Sequence, residues 1–400
     1  MQPVFIYEAV RTPRGRARPD GCLHELTPFS LLSSLYGALQ QRLHFDPASI
    51  DDVILGCVTQ VGEQAANIAK TSVLYHGWPD AVPGITVNRY CSSGLDAMQM
   101  AAMKIMTGNS ELVIAGGVEM MSRVAMLSDN PLPFTDAALA KKLGMYLMGY
   151  GADFIATELG ISREQADAVA LQSQQRAAHA RASGHFTSIV PLHNPLTGNV
   201  VKQDDTIRAQ TTAASLAALP ASFAGNGEVD ATLLQSLPDC SHINHIHTAG
   251  NSPAMADGAS AMLLGSAKLG EKLGLKPRAR IQAMVAVNDD PQAVVAGCVA
   301  ATHTLLSRQG MSVNDIDLFE VHEAFAAVMV KCQRALGIDD SKLNVNGGCI
   351  ALGHPMGATG GILVGTLLDE MERRGLQNGV AASSGAAGAG AAVLLERVIV

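Results

Sequence analysis

Four hundred residues with 48% hydrophobic side chains make a chain long enough for more than one core, so two domains or one duplicated unit is expected. A formal net charge of −8 with no basic run argues against a nucleic-acid surface, although a few Lys, Arg and helix N-termini can still hold an anionic small molecule. No apolar run reaches the roughly 18–20 residues of a bilayer span, and the opening "MQPVFIYEAVRTPRGR" lacks the order of a secretory signal, so no membrane partner and a cytoplasmic location are expected.

Along the chain, "PVFIYEAV", "DDVILGCV", "GITVNRY" and "ELVIAGGVE" read as strands, with helices over Leu26–Leu43 and Gly94–Thr107 between them. This is an α/β alternation with mostly parallel strands. From about Met121 to His247 the alternation breaks into Pro-rich turns and one clear helix, Ser162–Ser183, with Ser162 as its N-cap. It resumes with "RARIQAMVAV", a helix over 291–309, "IDLFEV", helices over 323–336 and 358–375, "NGVAAS" and "AAVLLERVIV". The expected organisation is two α/β halves, 1–270 and 271–400, with an inserted loop region at about 121–248 in the first.

The seven cysteines are odd in number and scattered, with no CxxC pair, so neither a disulfide framework nor a structural zinc site is expected, and most should be small buried residues. Cys91 is the exception. "VNRYCSSGLDAMQM" puts it where a strand ends and a helix begins, and the positive end of a helix favours the nucleophilic thiolate. His354, in "NVNGGCIALGHPMGATGG", is displayed between a glycine and a proline at the start of another helix. His322 and Glu323 follow "IDLFEV" at the carboxyl end of a strand, where open α/β sheets place ligands. A thiol with two imidazoles suits acyl transfer: one imidazole takes the thiol proton and the other donates to a developing oxyanion. No spacing resembles a pair of metal ligands on one helix, so no metal is expected.

These segments together resemble the thiolases, from "EAVRTPRGRARPDGCLHELTP" through "NRYCSSGLDAMQMAA", "AGGVEMMSR", "HTAGNSPAMADGASAML" and "HEAFA" to the Gly-rich ending. The resemblance implies the thiolase fold, with duplicated βαβαβαββ halves in five layers and an inserted loop domain that covers coenzyme A. It implies an acyltransferase that condenses or thiolyses 3-oxoacyl-CoA through an acyl-cysteine, with the coenzyme A thioester as substrate, no separate cofactor, and a homodimer or homotetramer. By the same resemblance Cys91 is the acyl acceptor, His354 activates it, and His322 stands where most thiolases have asparagine. Met148, Asn251, Ser252, Phe325 and the backbone of Gly388 fall to the substrate.

Two departures stand out. Pro253 occupies the place of a pantetheine-contacting serine, and Leu147 that of a histidine. Ser384 falls where the family has its acid/base cysteine, and a hydroxyl is a far weaker acid than a thiol, so slowed or altered turnover is expected. Cys349 could be a substitute thiol, but a packed strand residue is the better reading. Two alternatives follow: a decarboxylating, ketosynthase-like condensation on Cys91, His322 and His354, or a non-catalytic subunit that binds acyl-CoA.

Overall fold

The computed structural model describes residues 2–195 and 197–399. Its first half contains β1 (Val4–Arg11), α1 (Pro28–Leu43), β2 (Asp52–Gly56), α2 (Ile68–His76), β3 (Gly84–Val87), α3 (Ser93–Met106) and β4 (Leu112–Met120). After the insertion, which carries α4 (Met148–Glu158) and α5 (Arg163–Ala182), comes β5 (Ala256–Ser266). The second half is β6 (Ala279–Asn288), α6 (Gly297–Gln309), β7 (Leu318–Val321), α7 (Ala326–Leu336), α8 (Cys349–Leu352), α9 (Met356–Arg374), β8 (Asn378–Ser384) and β9 (Ala389–Arg397).

The strands run in the order β7-β8-β9-β6-β1-β5-β4-β2-β3. Each half repeats one pattern. Its first strand pairs antiparallel with its last, the last pairs antiparallel with the one before it, and that strand pairs parallel with the next. The halves meet where Phe5 and Ile6 face Arg280 and Ala279. This repeat is the physical trace of the duplication. It also corrects the expectation of mostly parallel strands, because antiparallel pairs predominate. A strand buried on both faces reads as a continuous small or apolar run whichever way its neighbours point.

The three largest hydrophobic cores hold the layers together. On the outer face of the first half, Leu31, Leu35 and Leu39 of α1 pack with Leu55, Ile114 and Leu263 of the sheet. Between the halves, Leu95, Met98 and Ile105 of α3 share a core with Leu367 of α9, Val113 and Val393. On the far face, Leu305 of α6 and Val328 of α7 pack with Phe319 and Ala392. Helix α9 is buried from Met356 through Met371, as a helix packed between the two halves of the sheet must be.

Glycine makes the central layer possible. A methyl group on Gly360 would lie 2.1 Å from the Leu95 amide nitrogen, and one on Gly94 would lie 2.6 Å from the Gly357 carbonyl oxygen. The N-terminal turns of α3 and α9 therefore touch backbone to backbone. The chemistry-bearing residues stand on those turns.

Helices expected at 291, 323 and 358 begin instead at Gly297, Ala326 and Met356, and the strand over "GITVNRY" ends at Val87. Cys349, expected on a strand, opens the short helix α8.

Candidate active site

Cys91 is reached through a strained turn. Tyr90, a non-glycine residue, has φ of 50°, a left-handed conformation that costs roughly 1–3 kcal/mol and persists only where the surroundings fix it. Two serines do so. Ser92 Oγ donates to the Ser383 carbonyl at 3.1 Å, and Ser383 Oγ donates back to the Cys91 carbonyl at 3.1 Å. The paired Ser-Ser sequences near 92 and 383 are thus two sides of one staple between the halves.

One apolar cavity of about 280 Å³ is lined by Cys91, His322 and His354 together. Cys91 and His322 follow the carboxyl ends of β3 and β7, whereas His354 stands in the turn between α8 and α9 rather than after a strand. The imidazole rings of His322 and His354 lie 4.2 Å apart at 35°. His322 Nδ1 is 3.2 Å from the Ser384 carbonyl, which can only accept, so the proton sits on Nδ1. His354 Nδ1 lies 2.7 Å from Thr359 Oγ, which is itself 3.2 Å from the Pro355 carbonyl; with the hydroxyl proton on that carbonyl, the ring donates from Nδ1 and leaves Nε2 as the base. Both Nε2 atoms are buried without a hydrogen-bond partner. They carry bare lone pairs.

The electrostatics agree. Burial pushes the Cys91 thiol up to about 12, with Glu119 adding to the rise and the residue's own backbone N–H opposing it. Burial lowers His322 to about 4, against the Ser384 carbonyl bond. His354 is held well below the ordinary histidine value by burial, then by His322 and Arg14. The resting site is a neutral thiol facing two neutral bases. The helix terminus alone does not make Cys91 a thiolate. His322 can donate to an oxyanion only after it has itself taken a proton.

The substrate residues divide. Met148, Ser252 and Phe325 line the cavity, as do Leu147 and Pro253. Asn251 does not: its side chain turns inward, with Nδ2 donating to Asp167 at 2.8 Å and to the Ile246 carbonyl at 3.1 Å, while Oδ1 accepts from Thr248 N–H. The Gly388 amide donates to the Val294 carbonyl at 2.9 Å and is not free for a substrate. Ala386, two residues earlier, lines a second cavity with Cys91 and is the nearer wall. Ser384 is fully buried, and its Oγ accepts from the Cys298 N–H at 2.9 Å. It is not among the residues lining either cavity.

Several supports were not legible in the sequence. Glu119 accepts from the amides of Val58, Thr59 and Gly357, tying the turn before α9 to the first half. Glu323 accepts from Ser173 Oγ and the Ile350 amide, anchoring α8 against α5. Arg14 is buried and donates to the Gly353 carbonyl at 3.2 Å, fixing the residue before His354. Phe223, from the inserted region, lies over Gly149 and reaches the cavity with its ring 6.0 Å from that of Phe325.

A thiol and paired neutral imidazoles between duplicated α/β halves form an arrangement suited to acyl transfer. Residues 4–244 match the family description "Thiolase, N-terminal domain", and residues 275–397 match "Thiolase, C-terminal domain". The chain is 41% identical to the 3-ketoacyl-CoA thiolase of Serratia proteamaculans (strain 568), covering all of both chains. Among solved structures it is similar to the Bacillus anthracis acetyl-CoA acetyltransferase (33% identity, TM-score 0.86) and the human mitochondrial 3-ketoacyl-CoA thiolase (31%, 0.87), covering all of this chain and 99% of each of those. The chain belongs to the thiolase family and is an acyltransferase with the thiolase fold.

Proposed function

We propose that the chain transfers acyl groups between coenzyme A and a carbon nucleophile through an acyl-Cys91 thioester, in the manner of a 3-ketoacyl-CoA thiolase. The observation that carries the reading is the pair of bare Nε2 atoms on His322 and His354 in the same apolar cavity as Cys91. His354 Nε2 takes the Cys91 proton, the sulfur attacks the substrate carbonyl, and the imidazolium so formed donates a hydrogen bond to the oxyanion. The weakness of each neutral partner is useful here. Charge develops only when substrate has displaced water from the cavity.

The thioester supplies its own activation, so coenzyme A is substrate and no further cofactor is invoked. We place its arm under the inserted region, where Leu147, Met148 and Phe223 line the cavity beside Ser252 and Pro253. Pro253 offers neither a hydroxyl nor an N–H, so pantetheine is held there by packing. The halves 1–270 and 271–400, with 121–248 as the cover, a homodimer or homotetramer, and a cytoplasmic location complete the reading. In keeping with the last, no helix among the described residues is long and apolar enough to cross a membrane.

One observation favours a second reading. The Ser384 hydroxyl is held at the Cys298 amide, so the place of the acid/base thiol offers no strong proton acceptor for an α-carbon. Loss of CO2 from a malonyl thioester would generate the carbanion without one, leaving Cys91, His322 and His354 sufficient. Mass spectrometry after incubation with an acyl-CoA, followed by chase with free CoA, acetyl-CoA or malonyl-CoA, separates the readings. An adduct on Cys91 released by free CoA supports thiolysis. Release by malonyl-CoA alone supports decarboxylation, and no adduct defeats both.

A further inference from the structure

Cys349 has no part in the chemistry above, yet its thiol is buried against it. One ligand atom each from His322, Cys349 and His354 lies within 4.8 Å of the other two, and all three residues are buried. We propose that these three side chains form a binding site for a soft divalent cation such as Zn2+, whose occupancy switches acyl transfer off.

Four features of the arrangement support this. The donor set, two imidazoles and a thiol, is one that Zn2+ selects. Three points no more than 4.8 Å apart enclose a centre at most about 2.8 Å from each. Each ligand then needs to close by roughly 0.5–0.8 Å to reach the ~2.0–2.3 Å of Zn–N and Zn–S bonds, within the reach of small side-chain rotations. Each imidazole donates Nδ1–H to an oxygen, the Ser384 carbonyl or Thr359 Oγ, which is the outer-shell support that metal-binding histidines ordinarily have. The remaining Nε2 atoms are buried, bare and without a partner.

The sequence hides the set because its members come from three segments: the end of β7, the start of α8 and the turn before α9. On binding, the metal displaces the Cys349 proton to solvent and occupies both Nε2 lone pairs. His354 can then no longer accept the Cys91 proton. Metal and thioester compete for one place, so acyl-CoA protects the site from metal. The binding itself does not depend on the acyl-transfer reading; only the inhibition rests on it.

The test uses Co2+ and Zn2+ with the purified full chain after chelation. One Co2+ per chain is expected to give a thiolate-to-cobalt charge-transfer band with the intense visible bands of a tetrahedral site. Cys349→Ala loses the charge-transfer band and weakens Zn2+ binding by roughly 100-fold or more, while its metal-free acyl transfer persists. Cys91→Ala, although unable to form the acyl-enzyme, keeps the charge-transfer band. Failure to take up Co2+ overturns the proposal. So does a band lost in Cys91→Ala but kept in Cys349→Ala, or Zn2+ inhibition undiminished by Cys349→Ala. The spectra are read without substrate, so a chain that binds Co2+ through Cys349 but never acylates Cys91 would defeat the acyl-transfer reading alone.

Discussion

Thr359→Val removes one oxygen from the support of His354 and should cost far more activity than stability. Thr359 Oγ accepts the Nδ1–H of His354 at 2.7 Å and is itself buried. Valine keeps the shape but leaves that N–H without an acceptor, at a cost of roughly 1–3 kcal/mol. The ring avoids the cost by moving its proton to Nε2, where it faces the cavity. That tautomer cannot take a proton from Cys91. At ~1.4 kcal/mol per factor of ten, the base-competent fraction falls by about 5- to 150-fold. Pre-steady-state acylation of Cys91 should slow by that factor, with denaturant stability reduced by no more than about 1–2 kcal/mol. Thr359→Ser, which keeps the acceptor, should restore the rate. Acylation at the parent rate in Thr359→Val would refute the tautomer argument.

Gly360→Ala ought to gain about 1 kcal/mol from helix propensity, yet the added methyl would meet the Leu95 backbone at 2.1 Å. The clash wins, and thermal denaturation should show a net loss of roughly 1–3 kcal/mol with a fall in kcat as the Cys91 and His354 turns separate. Glu370, bonded to Arg373, Arg374 and Asn346, is lowered to about 2 against the pull of burial. A folded-state value below the unfolded one gives stability that is present above about pH 4.5 and lost as pH falls toward 2. Because both arginines are partly solvent-exposed, the contribution is about 1–2 kcal/mol. Glu370→Gln should lose it at neutral pH and flatten the acid limb of the stability curve. Ser384→Cys places a thiol at the end of β8 and should raise thiolysis of a 3-oxoacyl-CoA. An unchanged rate would show that Ser384 does not occupy the proton-transfer position.

Much of the site was legible because its residues mark chain events that composition exposes. Cys91 and His322 stand at strand-to-helix junctions, which gather at one end of a sheet, and His354 stands at the start of a helix in a glycine-rich turn. What escaped depends on direction and register. Asn251 sits in a turn that promised a substrate contact, but nothing local shows that its amide closes on Asp167. Gly388 lies in a stretch of nearly featureless residues, in which nothing local distinguishes one amide from the next. Two consecutive left-handed residues, Ala387 at φ 57° and Gly388 at φ 75°, turn the Gly388 amide onto the Val294 carbonyl. Cys349 reads as a packed residue, since its separation in sequence from His322 gives no hint that the intervening helix and turns bring their side chains together. The antiparallel pairing of β5 was hidden for a related reason: "ADGASAMLLGS" is buried throughout and so lacks the alternation that a half-exposed strand displays.

The central claim is that a neutral Cys91 is made nucleophilic by the bare Nε2 of His354. It is tested most directly by timing the mass increment on Cys91 after mixing metal-free enzyme with an acyl-CoA, in the parent chain and in His354→Ala. The account predicts stoichiometric acylation in the parent and a loss of at least about 100-fold in the variant, with the fold retained by circular dichroism. Equal acylation rates in the two proteins, or an acyl group found on another residue, would contradict it.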